Sequence, residues 1–154
     1  VRETTAGFCA ATGNDFPPVA GAGSEDRAAA VLQAVEALRR IREVVNPAAG
    51  RSVSVPAQWE RLQPVRAIAL ALEAAQVPAS AVDAGGHRVA TGYSVRDHDG
   101  VVRVEWVGPA GSHARYEQHE CLQRCAQALE ELGWQTLEYR GARGQRWLEA
   151  EALA

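Results

Sequence analysis

The sequence contains no lysine and no methionine, so all 16 of its basic residues are arginine. Without a side-chain primary amine the chain forms no Schiff base, anchors no pyridoxal phosphate, supplies no phosphate-loop lysine and runs no serine–lysine pair. With no methionine, Val1 marks either an alternative start or the edge of a longer or processed chain. Cysteine is scarce as well. Cys9, Cys121 and Cys125 are odd in number, which argues against a disulfide framework and for reduced thiols in a cytoplasm. No apolar run approaches the roughly 18 residues that cross a bilayer, and the start of the chain lacks the basic-then-apolar order of a secretory signal. A cytoplasmic protein away from membranes is expected. Also missing are a Cys-x-x-Cys pair, a His-Glu-x-x-His pair and a Gly-x-Ser-x-Gly elbow.

What is present fits one folded unit. A chain of 154 residues buries roughly 68–70% of the surface its unfolded form exposes, enough for a single core without staples. Hydrophobic residues make up 47% and charged residues 23%, well away from the composition of disorder. The arginine-only, alanine-rich usage points to GC-rich coding DNA of bacterial type.

Residues 1–23 are rich in Gly, Ala, Thr and Pro without an apolar period, and read as a flexible arm or tail unless Phe8 and Phe16 dock. Residues 24–154 read as one α+β domain, with a helical part over 24–78 and a hairpin–helix–hairpin part over 86–152. Ser24 as a cap, with Glu25 and Asp26 behind it, predicts a helix start. Val31, Val35, Leu38 and Val45 recur at helical spacing, Leu32 and Ile41 widen the stripe, and Arg39, Arg40, Arg42 and Glu43 fall largely elsewhere. Asn46-Pro47 is expected to end this helix. A second helix over about 57–76 is interrupted by Pro64, which either kinks it or opens the helix proper.

The C-terminal half changes to a period of two. His87–Arg96 and Val101–Val107 alternate, and Asp97-His98-Asp99-Gly100 between them signals a hairpin. A helix over about 113–132 follows, with Leu122, Cys125, Leu129 and Leu132 on one face and Gly133 as its left-handed stop. Trp134–Arg140 and Gln145–Ala150 flank the turn at 141–144 as a second hairpin. The expected fold is therefore α+β: two N-terminal helices, then hairpin, helix and hairpin, forming a mainly antiparallel sheet with helices on one face. Unrelated folds share this order, chaperone-like and nuclease-like ones among them, so it selects no function.

Candidate chemistry is thin. Glu117, Cys121 and Cys125 align at four-residue spacing and make the only metal set worth testing, but His119 lies about 200° around from Cys121 at roughly 100° per residue. Core filler is the favoured reading of the two thiols, with no metal and no cofactor. Gly21-Ala22-Gly23 before a helix superficially resembles a phosphate loop, yet Glu25 and Asp26 put negative charge where an anion would sit. The Glu130-Glu131 pair, Glu149 and Glu151 read as solubilising side chains, and no catalytic set emerges. Arg140, Arg143 and Arg146 surround the last turn next to Tyr139 and Trp147 and, with Trp147, form the candidate binding group, since arginine with aromatics grips phosphate and stacks on bases. Against nucleic acid, residues 77–154 carry eight Arg and eleven Asp or Glu, a net of −3.

The leading expectation is a non-enzymatic interaction or regulatory module that binds a protein partner or itself, as a homodimer through the apolar stripe of the first helix or an open sheet edge. The alternatives are a small-molecule binder or small enzyme, with Tyr93, Trp106 and Trp147 walling a pocket between sheet and helices, and a nucleic-acid binder through the arginine-rich turn.

Overall fold

A computed structural model of the chain describes residues 8–18 and 23–154. Among these, α1 (Ser24–Ala48), α2 (Gln58–Leu62) and α3 (Pro64–Ala74) lead into β1 (Ala81–Val82), β2 (Arg88–Ala90), β3 (Gly92–His98) and β4 (Val101–Val107). Then come α4 (Ala114–Glu131), β5 (Trp134–Arg140) and β6 (Arg146–Ala152). The fold is α+β as expected, with three helices rather than two before the sheet. Pro64 takes the first turn of α3, where its missing N–H costs nothing, and so separates α3 from the short α2. No helix of the described residues is long and apolar enough to cross a membrane.

β3, β4, β6 and β5 lie in that order in one fully antiparallel sheet. The first hairpin closes on Asp99-Gly100, both at positive φ (54° and 86°), the turn whose twist matches the strands it joins. The expected strand over 87–96 is split at Thr91. Its first piece, β2, pairs instead with β1 in a two-stranded ribbon, which leaves Val89 exposed. α3 and α4 cover one face of the larger sheet. Ile68 and Leu72 from α3 and Leu122 and Leu129 from α4 meet Tyr93, Val104 and Leu148 from the strands in the main core.

α1 packs along one narrow line, at Val31, Leu38, Arg42 and Asn46. Leu32, Ile41 and Val45, expected in the apolar stripe, are exposed, whereas Arg42, expected outside it, is buried. The reason is Glu60 on α2, itself fully buried. Arg42 donates from Nε to Glu60 Oε2 at 2.8 Å and from Nη2 to Oε1 at 2.7 Å, and Nη2 also reaches the Leu132 carbonyl at 2.7 Å. The Ala57 N–H donates to Glu60 Oε2 at 2.9 Å. Asn46 continues the line, donating to the Ser52 and Val55 carbonyls, so the helix runs through Pro47 into its last turn instead of stopping before it. The helix starts with Gly23 in the cap position and Ser24 already inside it.

Residues 8–18, expected within a flexible arm, lie along the domain, and Gly23 caps α1; residues 1–7 and 19–22 of that arm, Gly21-Ala22 among them, lie outside the described residues. Val95 N–H donates to the Thr12 carbonyl at 2.7 Å, Val82 N–H to Asp15 at 2.9 Å, and the Tyr93 hydroxyl to Ala11 at 2.7 Å. Gly13 (φ +88°) passes so close to β3 that a Cβ there would lie 1.9 Å from the Tyr93 oxygen. Phe8 docks under the Arg27 guanidinium, 4.8 Å from its ring centre, while Phe16 is exposed. Glu73 accepts from the Ala11 N–H at 2.9 Å and from Arg27 at 2.7 and 2.9 Å.

Two outcomes test this architecture. Glu60→Ala strands a buried guanidinium and is expected to lower unfolding stability by about 3–5 kcal/mol in urea titration. Arg40→Ala, at an exposed helical pair with Glu36, should stay within about 0.5 kcal/mol of the wild type. Burial pushes the Glu73 carboxyl up, but the hydrogen bonds from Arg27 and the Ala11 amide, with the Arg27 charge, outweigh it and hold Glu73 below its ordinary value. A depressed carboxyl stabilises above its unfolded pKa and loses that contribution as pH falls through its folded one. Acid titration followed by NMR should therefore move the Ala11 amide resonance before the core unfolds; an Ala11 signal that stays put until global unfolding would contradict it.

Candidate functional site

The two faces of the sheet are built from alternate residues, and each carries a different kind of side chain. On β4, Val102, Val104 and Trp106 face the helices, so Arg103 and Glu105 face away. The register sets Glu105 and Tyr139 on either side of Trp147, and Arg103 and Leu137 on either side of Glu149. Tyr139 and Trp147 stack with ring centres 5.9 Å apart and planes 18° apart, and the Arg103 guanidinium lies 4.5 Å from the Trp147 ring centre. Arg96 pairs with Glu105 at 2.9 Å. The outer face thus carries a graded array from a charged β3–β4 side to an apolar β5 side, where Leu137 is 55% exposed and Tyr139 39%.

The margins of the sheet differ too. β3 is covered by the chain itself: Thr12 and Asn14 bond along it, Asn14 receives the Ser94 hydroxyl at 2.9 Å, and Tyr93 and the 78–80 segment exchange backbone hydrogen bonds. Among the described residues β5 pairs with β6 alone, and none of them bonds along its other edge.

Of the residues singled out from sequence, Arg146 and Trp147 are strand neighbours and project to opposite faces. Arg146 turns toward α4, where Nη1 donates to Glu138 Oε2 at 2.9 Å and its backbone N–H donates to Gln118 Oε1 at 2.6 Å. His119 and Gln123 also reach Glu138, at 3.0 and 2.7 Å. Burial pushes the Glu138 carboxyl up, but these three hydrogen bonds outweigh it and hold it below the usual carboxylate range. Arg140 is exposed at the end of β5, and Arg143 sits in the turn with its carbonyl receiving Arg115 Nη2 at 2.5 Å. The structure does not gather the three arginines and Trp147 at one point. Trp147 stacks instead on Tyr139, its neighbour across the turn, and lies under Arg103, which only the sheet register reveals.

A separate cleft of about 640 Å³ lies where the end of β4, the first turn of α4 and the β5–β6 turn meet. Trp106 is its floor, and Arg115, Tyr116, Gln118, Arg143 and Gln145 stand around it. Tyr93, Trp106 and Trp147 do not share a cavity: Tyr93 is sealed in the core and Trp147 is on the far face.

Among the described residues no three His, Cys, Asp or Glu side chains converge on a metal position. Glu117 receives the Trp106 indole N–H at 3.3 Å, and Cys125 is packed in the main core with Cys121 at its border. Burial pushes the Cys125 thiol up to about 12. His119 with Glu138 is the nearest approach to an acid–base dyad, and no hydroxyl or thiol among the described residues hydrogen-bonds to it. Comparison with known protein families, with curated proteins and with solved structures finds no match to this chain.

The thiols give a direct check on this packing. At mildly alkaline pH an aromatic disulfide reagent should label exposed Cys9 quickly and leave Cys125 unmodified until denaturant is added; rapid labelling of Cys125 in the native protein would place it outside the core.

Proposed function

We propose that the chain is a non-enzymatic, cytoplasmic interaction module that binds a protein partner by strand addition at β5, with the outer face of the sheet beside it as the side-chain contact surface. The observation that carries the reading is the pairing of an open seven-residue strand edge with exposed Leu137 and Tyr139. Unpaired backbone N–H and C=O groups in a row accept an extended chain, and adjoining apolar side chains supply the area such a contact buries. Trp147, held between Arg103 and Tyr139, stiffens that surface, so less side-chain freedom is lost on binding. Residues 77–154 have a net charge of −3, which favours a protein partner over a nucleic acid.

A second reading is favoured by the cleft alone. Arg115 and Arg143 flank it above the Trp106 floor, an arrangement suited to a small anionic molecule with an apolar body. The strand edge is preferred because the cleft is shallow and half of its rim is turn.

Panning the chain against displayed peptides of random sequence separates the readings. Enriched peptides are expected to shift the backbone amides of Thr136, Glu138 and Arg140 most strongly in NMR spectra. Peptides that map to the surroundings of Trp106, or a library that yields no binder to monomeric chain, would overturn strand addition.

A further inference from the structure

An open strand edge accepts any extended backbone, so its occupant is set by the side chains beside it. Hydrogen-bonded and non-hydrogen-bonded pairs alternate along an antiparallel ladder. Gly141 N–H bonds to Gln145 at one end of the β5–β6 ladder and Leu153 N–H to Gly133 at the other. Gln135, Leu137 and Tyr139 therefore spend their backbone groups on β6, and Thr136, Glu138 and Arg140 direct theirs to the open side.

We propose that the occupant of this edge is the β5 strand of a second copy of the chain, antiparallel across a two-fold axis at Leu137, so that one sheet runs continuously through both copies. This rests on the strand-addition reading above and names its partner. Leu137 is the midpoint of Trp134–Arg140, so this register alone uses the whole strand on both sides. It brings the outward-facing groups of Thr136 opposite those of Glu138 in the second copy, and the reverse, as hydrogen-bonded pairs. Leu137 meets its own copy in a non-hydrogen-bonded pair, where side chains lie closest, and each Tyr139 meets Gln135. Shifting the axis to Glu138 would set two carboxylates opposite each other, and shifting it to Thr136 would leave Arg140 unpaired. β5 has little of what blunts an edge: it holds no proline and no bulge, its exposed charge, Arg140, stands at its very end, and its inward Glu138 is paired with Arg146. The exposed stripe of α1 at Ile41, Val44 and Val45 is the competing self-contact, but it offers no backbone groups and nothing that specifies what covers it.

Sedimentation velocity in reducing buffer, from micromolar to millimolar chain, is expected to show a monomer–dimer equilibrium. Because Leu137 faces itself, Leu137→Arg and Leu137→Glu should each shift the protein to monomer, and mixing the two should restore a dimer containing one of each. Circular dichroism checks that both fold. If either does not, Leu137→Cys in a Cys9→Ser background should crosslink to itself on mild oxidation. A dimer that survives both charge changes, or a mixture that stays monomeric, overturns the proposal. A wild type that is monomeric throughout overturns it as well. If selected peptides still shift the β5 amides of that monomer, strand addition stands with another partner; if they do not, both fall together.

Discussion

The buried pair of Arg42 and Glu60 fixes how the helical half meets the sheet. A guanidinium and a carboxylate taken out of water are tolerated only where nearly all of their hydrogen-bonding capacity is met, and here five contacts meet it: two between the charges, one from the Ala57 N–H, and two from Arg42 to the carbonyls of Ser54 and Leu132. Ser54 and Ala57 belong to the loop before α2, and Leu132 follows the last turn of α4. α1, the 51–57 loop, α2 and the end of α4 are thereby held at one point, which an apolar contact of the same area would not specify so narrowly. Gly133 follows from it. The chain turns there at φ +89° with the Ser54 carbonyl where a Cβ would stand, 2.3 Å away, and Trp134 then enters the sheet as the first residue of β5. The candidate interface thus begins one residue after the turn that this ion pair positions.

The C-terminal half was the more legible from sequence because its signals are local. Alternation in 101–107, the Asp-Gly turn and the Gly133 stop each depend on a few adjacent residues, and each appears where the pattern puts it. Failures arose where a distant partner overrides the local rule. Arg42 looks like a solvated residue until Glu60 is seen 18 positions away; residues 8–18 look like a tail because their hydrogen bonds go to β3 and Glu73; and Thr91 breaks a strand because β1 claims Arg88–Ala90. Pro47 shows the same thing in reverse: the residue before it is held helical by the carbonyls Asn46 binds, against the preference proline imposes.

The site was half legible for the same reason. Proximity in sequence groups Trp147 and Tyr139 with Arg140, Arg143 and Arg146, whereas the sheet sets the two aromatics against each other and Arg103 over Trp147. Adjacent strand residues face opposite ways, so Arg146 was excluded by the pleat alone once β6 was assigned. Tyr139 sits across the local hairpin from Trp147, but Arg103 comes from β4, and the order β4-β6-β5 that places it beside Trp147 is not written in any short motif.

The asymmetry of the sheet is what gives the outer face a direction. One margin is satisfied within the chain by residues 12–15, at the cost of a left-handed glycine and a buried tyrosine hydroxyl bonded to backbone. A sheet able to cover one edge so fully has the means to cover the other, yet the chain brings nothing there from the described residues and places Leu137 and Tyr139 beside it instead. The inner side of that same strand is tied down by Glu130 on Thr136 and by His119, Gln123 and Arg146 on Glu138. A strand braced from below, bare along its edge and apolar above is already in the geometry a docking strand requires, so little ordering of β5 remains to oppose binding.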